Sequence, residues 1–172
     1  PTVFAWQDGG VGFEVSQGYM PPANLANNAI GSNQRFYSEL IDLNNDGLVD
    51  FVQAYKSNDN EGLISNTWMN TGSGWQQNAV WRLPKPIYIG GRKISNFVDL
   101  NGNGRPDLIV SESGYGNEVW RNLNSGWQRD DRWKLPQYLY ENSGGHSVSR
   151  GELIDLDGDG LPDLVISRVG AP

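Results

Sequence analysis

Three short stretches of this sequence gather carboxylates and amides at alternating positions: DLNNDGLVD from Asp42, DLNGNGRPD from Asp99 and DLDGDGLPD from Asp155. Each fits the pattern D-x-[DN]-x-[DN]-G-x-x-D. A hard divalent cation such as Ca²⁺ takes six to eight oxygens at about 2.3–2.6 Å. A tight loop can supply them from side chains at positions one, three and five, a backbone carbonyl at seven and a carboxylate at nine. The ligand sets so predicted are Asp42, Asn44, Asp46, Leu48 and Asp50; Asp99, Asn101, Asn103, Arg105 and Asp107; and Asp155, Asp157, Asp159, Leu161 and Asp163. Leu48, Arg105 and Leu161 contribute only their carbonyls. Gly47, Gly104 and Gly160, all at position six, supply the positive φ that lets the chain wrap around an ion.

Competing chemistries fit less well. An EF-hand loop needs a Glu at position twelve and a helix on each side; here position twelve is Gln53, Val110 or Ile166, and the flanks look like strands. Zinc lacks its usual ligands, since the chain has no cysteine and one histidine, and magnesium keeps several waters and takes fewer protein ligands. Asp, Asn and Gly also build ordinary turns, but three loops in register are hard to explain as turns alone. Asp99 follows Asp42 by 57 residues and Asp155 follows Asp99 by 56.

The elements that must hold these loops repeat with them. Trp68, Trp75, Trp81 and Pro84 match Trp120, Trp127, Trp133 and Pro136 offset for offset, and Trp6, Phe13, Tyr19 and Pro22 keep the same spacing. The strings NTGSGW and NLNSGW end at Trp75 and Trp127, with a weaker QDGGVGF ending at Phe13. Repeated tryptophans at fixed positions predict packing between repeats before they predict a ligand platform. Short apolar runs such as Leu108-Ile109-Val110 and Leu164-Val165-Ile166 are bounded by Gly, Asn and Pro and read as strands. The expected fold is all-β, with three repeats at approximately 1–54, 55–111 and 112–172, each one four-stranded blade of a β-propeller. Three blades fall below the usual four to eight, so the expected neighbours are flanking blades of a longer chain or further copies of this one. Pro1 in first place also predicts a processed or excised piece of a longer chain.

Composition narrows the function. Twenty acidic and thirteen basic residues leave a charge of −7, with the basic ones scattered, which argues against a nucleic-acid partner. No apolar run is long enough for a membrane-spanning helix. No convergent catalytic group stands out: most carboxylates belong to the loops, and His146, near Ser143 and Ser147, has no nucleophile motif and reads as a turn or surface histidine. Tyr115, Tyr138 and Tyr140 read as unique to one repeat and are the better candidates for recognition. Calcium sites of modest affinity fill in millimolar extracellular Ca²⁺ and stay empty in resting cytosol, so an extracellular or secreted setting is expected.

The loops and their flanking strands resemble the FG-GAP or VCBS repeats of integrin α-like propellers over almost the whole chain. The shorter NTGSGW…WRLP pattern resembles propeller repeats near Rhs elements in bacterial toxin-complex subunits. The resemblance implies that the loops serve stability and that the propeller is a scaffold, shell or binding platform. The reading is therefore a calcium-stabilised, non-catalytic structural or interaction module of a secreted or toxin-like assembly, with three Ca²⁺ sites and a protein or glycan partner. A carbohydrate-binding lectin propeller is the alternative, and a propeller enzyme of the polysaccharide-lyase type the second alternative.

Overall fold

The computed structural model describes residues 37–167 throughout, together with Met20, Pro22 and four two-residue strands before them. Those four are β1 (Ala5–Trp6), β2 (Glu14–Val15), β3 (Ala26–Asn27) and β4 (Arg35–Phe36), with β1 pairing β2 and β3 pairing β4 antiparallel. The side chains of Trp6, Phe13 and Tyr19, the aromatic markers of the first repeat, lie outside the described residues.

Next come β5 (Ser38–Ile41), β6 (Asp50–Lys56), β7 (Ile64–Asn70) and β8 (Trp75–Gln77), a four-stranded antiparallel meander. A hairpin of β9 (Tyr88–Ile89) and β10 (Arg92–Lys93) follows, and β9 runs parallel to the end of β6. The pattern then repeats. β11 (Ser95–Val98), β12 (Asp107–Glu112), β13 (Gly116–Asn122) and β14 (Trp127–Arg129) form the second meander, and a 3₁₀ turn at Asp131–Trp133 leads on. The hairpin of β15 (Tyr140–Ser143) and β16 (His146–Ser149) joins the end of β12 in parallel. Finally β17 (Gly151–Ile154) and β18 (Asp163–Ile166) open a third unit as an antiparallel pair.

These are propeller blades, two complete and one begun, although the described residues close no ring. Each aspartate loop joins the first two strands of a blade, as the short apolar flanks require. A cyclic repeat can be cut at any phase, and the hydrogen bonds cut it ahead of the loops: residues 54/55 and 111/112 fall inside β6 and β12. The hairpins β9–β10 and β15–β16 are elements the sequence reading does not anticipate. Both turn on a Gly-Gly pair at positive φ, Gly90-Gly91 and Gly144-Gly145, the conformation that suits a two-residue hairpin loop.

The core lies between blades. β12 is buried along its whole length, and because its side chains alternate in direction it serves two clusters. Leu108 and Val110 join Leu43, Val52, Trp81, Ile87 and Ile94 toward the first blade. Ile109 joins Leu100, Val119, Leu135 and Leu139 toward the third.

Trp68 and Trp75 meet Phe51 of their own blade, while Trp81 and Trp127 pack between blades. Trp81 meets Trp127 edge to face at 6.5 Å, and the Trp127 indole N–H donates to the Trp81 carbonyl. Trp133 holds the same offset as Trp81 but is 39% exposed, because no described strand brings it the next tryptophan.

Candidate metal centre

All three loops close in the same way. The position-one carboxylate accepts the N–H of position six: Gly47 on Asp42 at 2.9 Å, Gly104 on Asp99 at 2.6 Å and Gly160 on Asp155 at 2.9 Å. The side-chain oxygen at position five accepts the N–H of position seven at 2.8 Å in each loop, Leu48 on Asp46, Arg105 on Asn103 and Leu161 on Asp159. The position-nine carboxylate accepts the N–H of position two, from Leu43 at 3.0 Å, Leu100 at 3.3 Å and Leu156 at 3.1 Å.

Gly47, Gly104 and Gly160 have φ of 85°, 81° and 87°. Position four is also left-handed, at Asn45 (60°), Gly102 (70°) and Gly158 (80°). The sequence signal was present in the Asn or Gly at every fourth place, residues that reach this region at least cost.

The expected ligands thus split into two kinds. Asp46, Asp155, Asp157 and Asp159 face solvent, Asp42, Asn44, Asp99, Asn101, Asn103 and Asp163 are half-buried, and Asp50 and Asp107 are fully buried. In the third loop, oxygens of Asp155, Asp157 and Asp159 lie within 4.8 Å of one another. This all-oxygen set fits a hard divalent cation, with Asp163 closing the loop beneath it.

The first and second loops present neutral amides at some of these positions, and the NH₂ groups of two of them bond to carboxylates of their own loop. Asn44 donates to Asp46 at 2.8 Å, and Asn101 donates to Asp107 at 3.2 Å.

The buried position-nine residues also fasten the blade. Asp50 accepts the N–H of Asn70 at 2.9 Å and Asp107 that of Asn122 at 2.8 Å, each tying its loop to the end of the third strand. Burial pushes the Asp50 carboxyl up to about 6, against the N–H groups of Asn70 and Leu43, while Asp46 and Asp42 add to the rise. Burial likewise raises Asp107, opposed by the N–H groups of Asn122 and Leu100 and by the Arg121 charge. A cation nearby would favour the ionised form of both. Asn70 and Asn122 are the functional residues that sequence reasoning missed, although they begin the repeated strings NTGSGW and NLNSGW.

The loops also touch one another. A Cβ on Gly104 in the second loop would collide with the Asn45 amide of the first, and one on Gly102 would meet Leu161 of the third at 3.3 Å. The candidate sites therefore form a row along one edge of the blades.

No solved structure matches the chain. The T-cell immunomodulatory protein homolog of Plasmodium falciparum (isolate 3D7) is 29% identical over 138 residues, which cover 74% of this chain and 18% of that protein. The chain therefore spans less than a fifth of that relative's length. FG-GAP-like repeats match at residues 42–110 and 99–166, so that both matches contain the second loop and together they run from the first loop to the last described strand. On the match, the blades and the loops that open them, the chain belongs to the FG-GAP-like repeat family.

Proposed function

We propose that this chain is a calcium-stabilised interaction module, non-catalytic, working outside the cell as part of a larger or oligomeric propeller. The observation that carries this reading is the identical closure of three loops, each with a position-one carboxylate that accepts the N–H of position six and a positive φ at that position. A ligand held only by the folded chain stabilises it by mass action, and loops that gather several carboxylates gain most from a cation. FG-GAP-like repeats are in general non-catalytic and take part in protein interaction, and the printed name of the Plasmodium relative, an immunomodulatory protein, accords with a protein partner. A secreted, toxin-like assembly is the setting proposed.

Exposed apolar side chains on the third unit, Ile154, Leu156 and Val165, favour a neighbour there, either a flanking blade or a second copy. Thermal unfolding in calcium and in chelator tests the metal, and the melting temperature should fall on chelation. An unchanged curve after verified metal removal overturns calcium stabilisation, and turnover in a polysaccharide lyase and hydrolase screen overturns the non-catalytic assignment.

A further inference from the structure

The two blade junctions are built on the same hydrogen bonds but filled differently. Between the first and second blades, Ile94 donates its N–H to the Ile87 carbonyl and accepts from Ser111, both at 2.9 Å. Between the second and third, Arg150 donates to the Leu139 carbonyl at 2.7 Å and accepts from Ser167 at 2.8 Å. Arg150 therefore stands where Ile94 stands. Ile94 is fully buried in the core, whereas the Arg150 side chain turns outward to Glu141 at 2.6 Å and stays 33% exposed. A cleft of about 700 Å³ opens beside it, lined also by Asn117, Lys134, Tyr138 and Tyr140. That volume lies within the range of small-ligand sites.

We propose that this cleft binds a short carbohydrate segment, a function beyond the calcium-stabilised scaffold. Tyr138 is 42% exposed and offers an aromatic face at the mouth, suited to the apolar face of a sugar ring. Both donors and acceptors line the cleft. Lys134 has no ion-pair partner among the described residues, and Arg150 and Glu141 present one donor and one acceptor group to the cleft. Asn117 donates to the Leu135 carbonyl at 2.8 Å, while its own amide oxygen is buried without a partner. A small rotation of that amide toward a ligand hydroxyl would satisfy it, and an unmet buried acceptor is costly to leave. Sugar hydroxyls both donate and accept, so they match this mixed lining. A phosphate-rich ligand does not, given Glu141 in the cleft and the chain's charge of −7.

The test is a glycan array carrying neutral and uronate-containing oligosaccharides, probed with the whole chain, followed by calorimetric titration of the strongest binder. The expected result is saturable binding that Tyr138→Ala weakens about tenfold or more, the loss of one good aromatic contact. Arg150→Ile places in the second junction the side chain that closes the first; it should abolish binding while the melting temperature holds or rises. Binding to no glycan on the array overturns the proposal, as does binding that both variants leave unchanged or capture of peptides in preference to glycans.

Discussion

The side-chain amide of Asn122, at the end of β13, donates to the carbonyl of Leu43 in the first loop at 2.8 Å, across 79 residues of sequence. The same residue gives its N–H to Asp107, donates weakly to Pro106 and accepts from Asn124. It is 1% exposed. One amide thus locks its own loop and the loop of the preceding blade. Asn122→Ala removes every side-chain bond and leaves the Leu43 carbonyl buried and unmet, a loss of about 1–3 kcal/mol. Urea unfolding should show that loss, and protection of first-blade amides from hydrogen exchange should fall with it. A variant as stable as the parent would mean that the two blades are not coupled through this residue.

The position-nine aspartates should prove structural even when no metal is bound. In Asp107→Asn the amide retains one acceptor but turns an NH₂ toward a backbone donor, either Leu100 or Asn122. The expected cost is about 1–3 kcal/mol in the presence of chelator. Asp157→Asn is the contrast, because Asp157 is exposed and its bond to the Asp159 N–H uses an oxygen the amide keeps. In chelator that change should alter stability by no more than about 0.5 kcal/mol. Denaturant titrations of both variants with chelator distinguish a fastener from a ligand, and equal effects would remove the distinction.

The row of loops makes a prediction about glycine. Gly47→Ala and Gly104→Ala both force an L side chain into positive φ, at about 1–2 kcal/mol each. At Gly47 the added Cβ meets open space, whereas at Gly104 it strikes the Asn45 amide of the neighbouring loop. Gly104→Ala should therefore cost more, and adding Asn45→Gly should recover the excess, since Asn45 itself sits at φ 60° where glycine is at ease. A double-mutant cycle measures the coupling. Strict additivity would show that the first two loops do not press on each other.

Much of this architecture is legible in the sequence because its signals are local. The strands beside each loop and the glycine at position six follow from residue type and spacing within about ten positions, and the recurrence of that local pattern every 56–57 residues gives the period. The Gly-Gly hairpins are not legible because the two copies differ around the turn, Tyr88-Ile89 before one and Asn142-Ser143 before the other; the first has strands of only two residues, and the strands of the second are polar and show no apolar alternation. The double role of Asp50 and Asp107 is invisible for another reason. Their partners Asn70 and Asn122 lie 20 and 15 residues away, so the bond exists only once the third strand has docked. Trp133 shows the converse, a repeat position whose environment depends on a neighbour rather than on its own side chain.

If the three loops hold calcium as proposed, the candidate sites should fill in a definite order. Position-one, three, five and nine carboxylates number four in the third loop, three in the first and two in the second, and a carboxylate holds a divalent cation better than a neutral amide does. The arrangement of the loops sharpens the ranking. Asp155, Asp157 and Asp159 already converge. In the first loop the Asn44 NH₂ must release Asp46 before that carboxylate can give both oxygens to an ion, and in the second Asn101 must release the buried Asp107. The second site also carries Arg105 at position seven, whose cationic side chain must stay clear of an ion held by its carbonyl. Three bound Ca²⁺ ions would take the formal charge from −7 to −1, so binding should weaken with added salt as well. A calorimetric calcium titration should resolve the third site as the tightest and the second as the weakest. Asp157→Asn should weaken the tightest step roughly tenfold and leave the others in place. If the second loop fills first, or if Asp157→Asn leaves the titration unchanged, loop rigidity rather than carboxylate count controls affinity here.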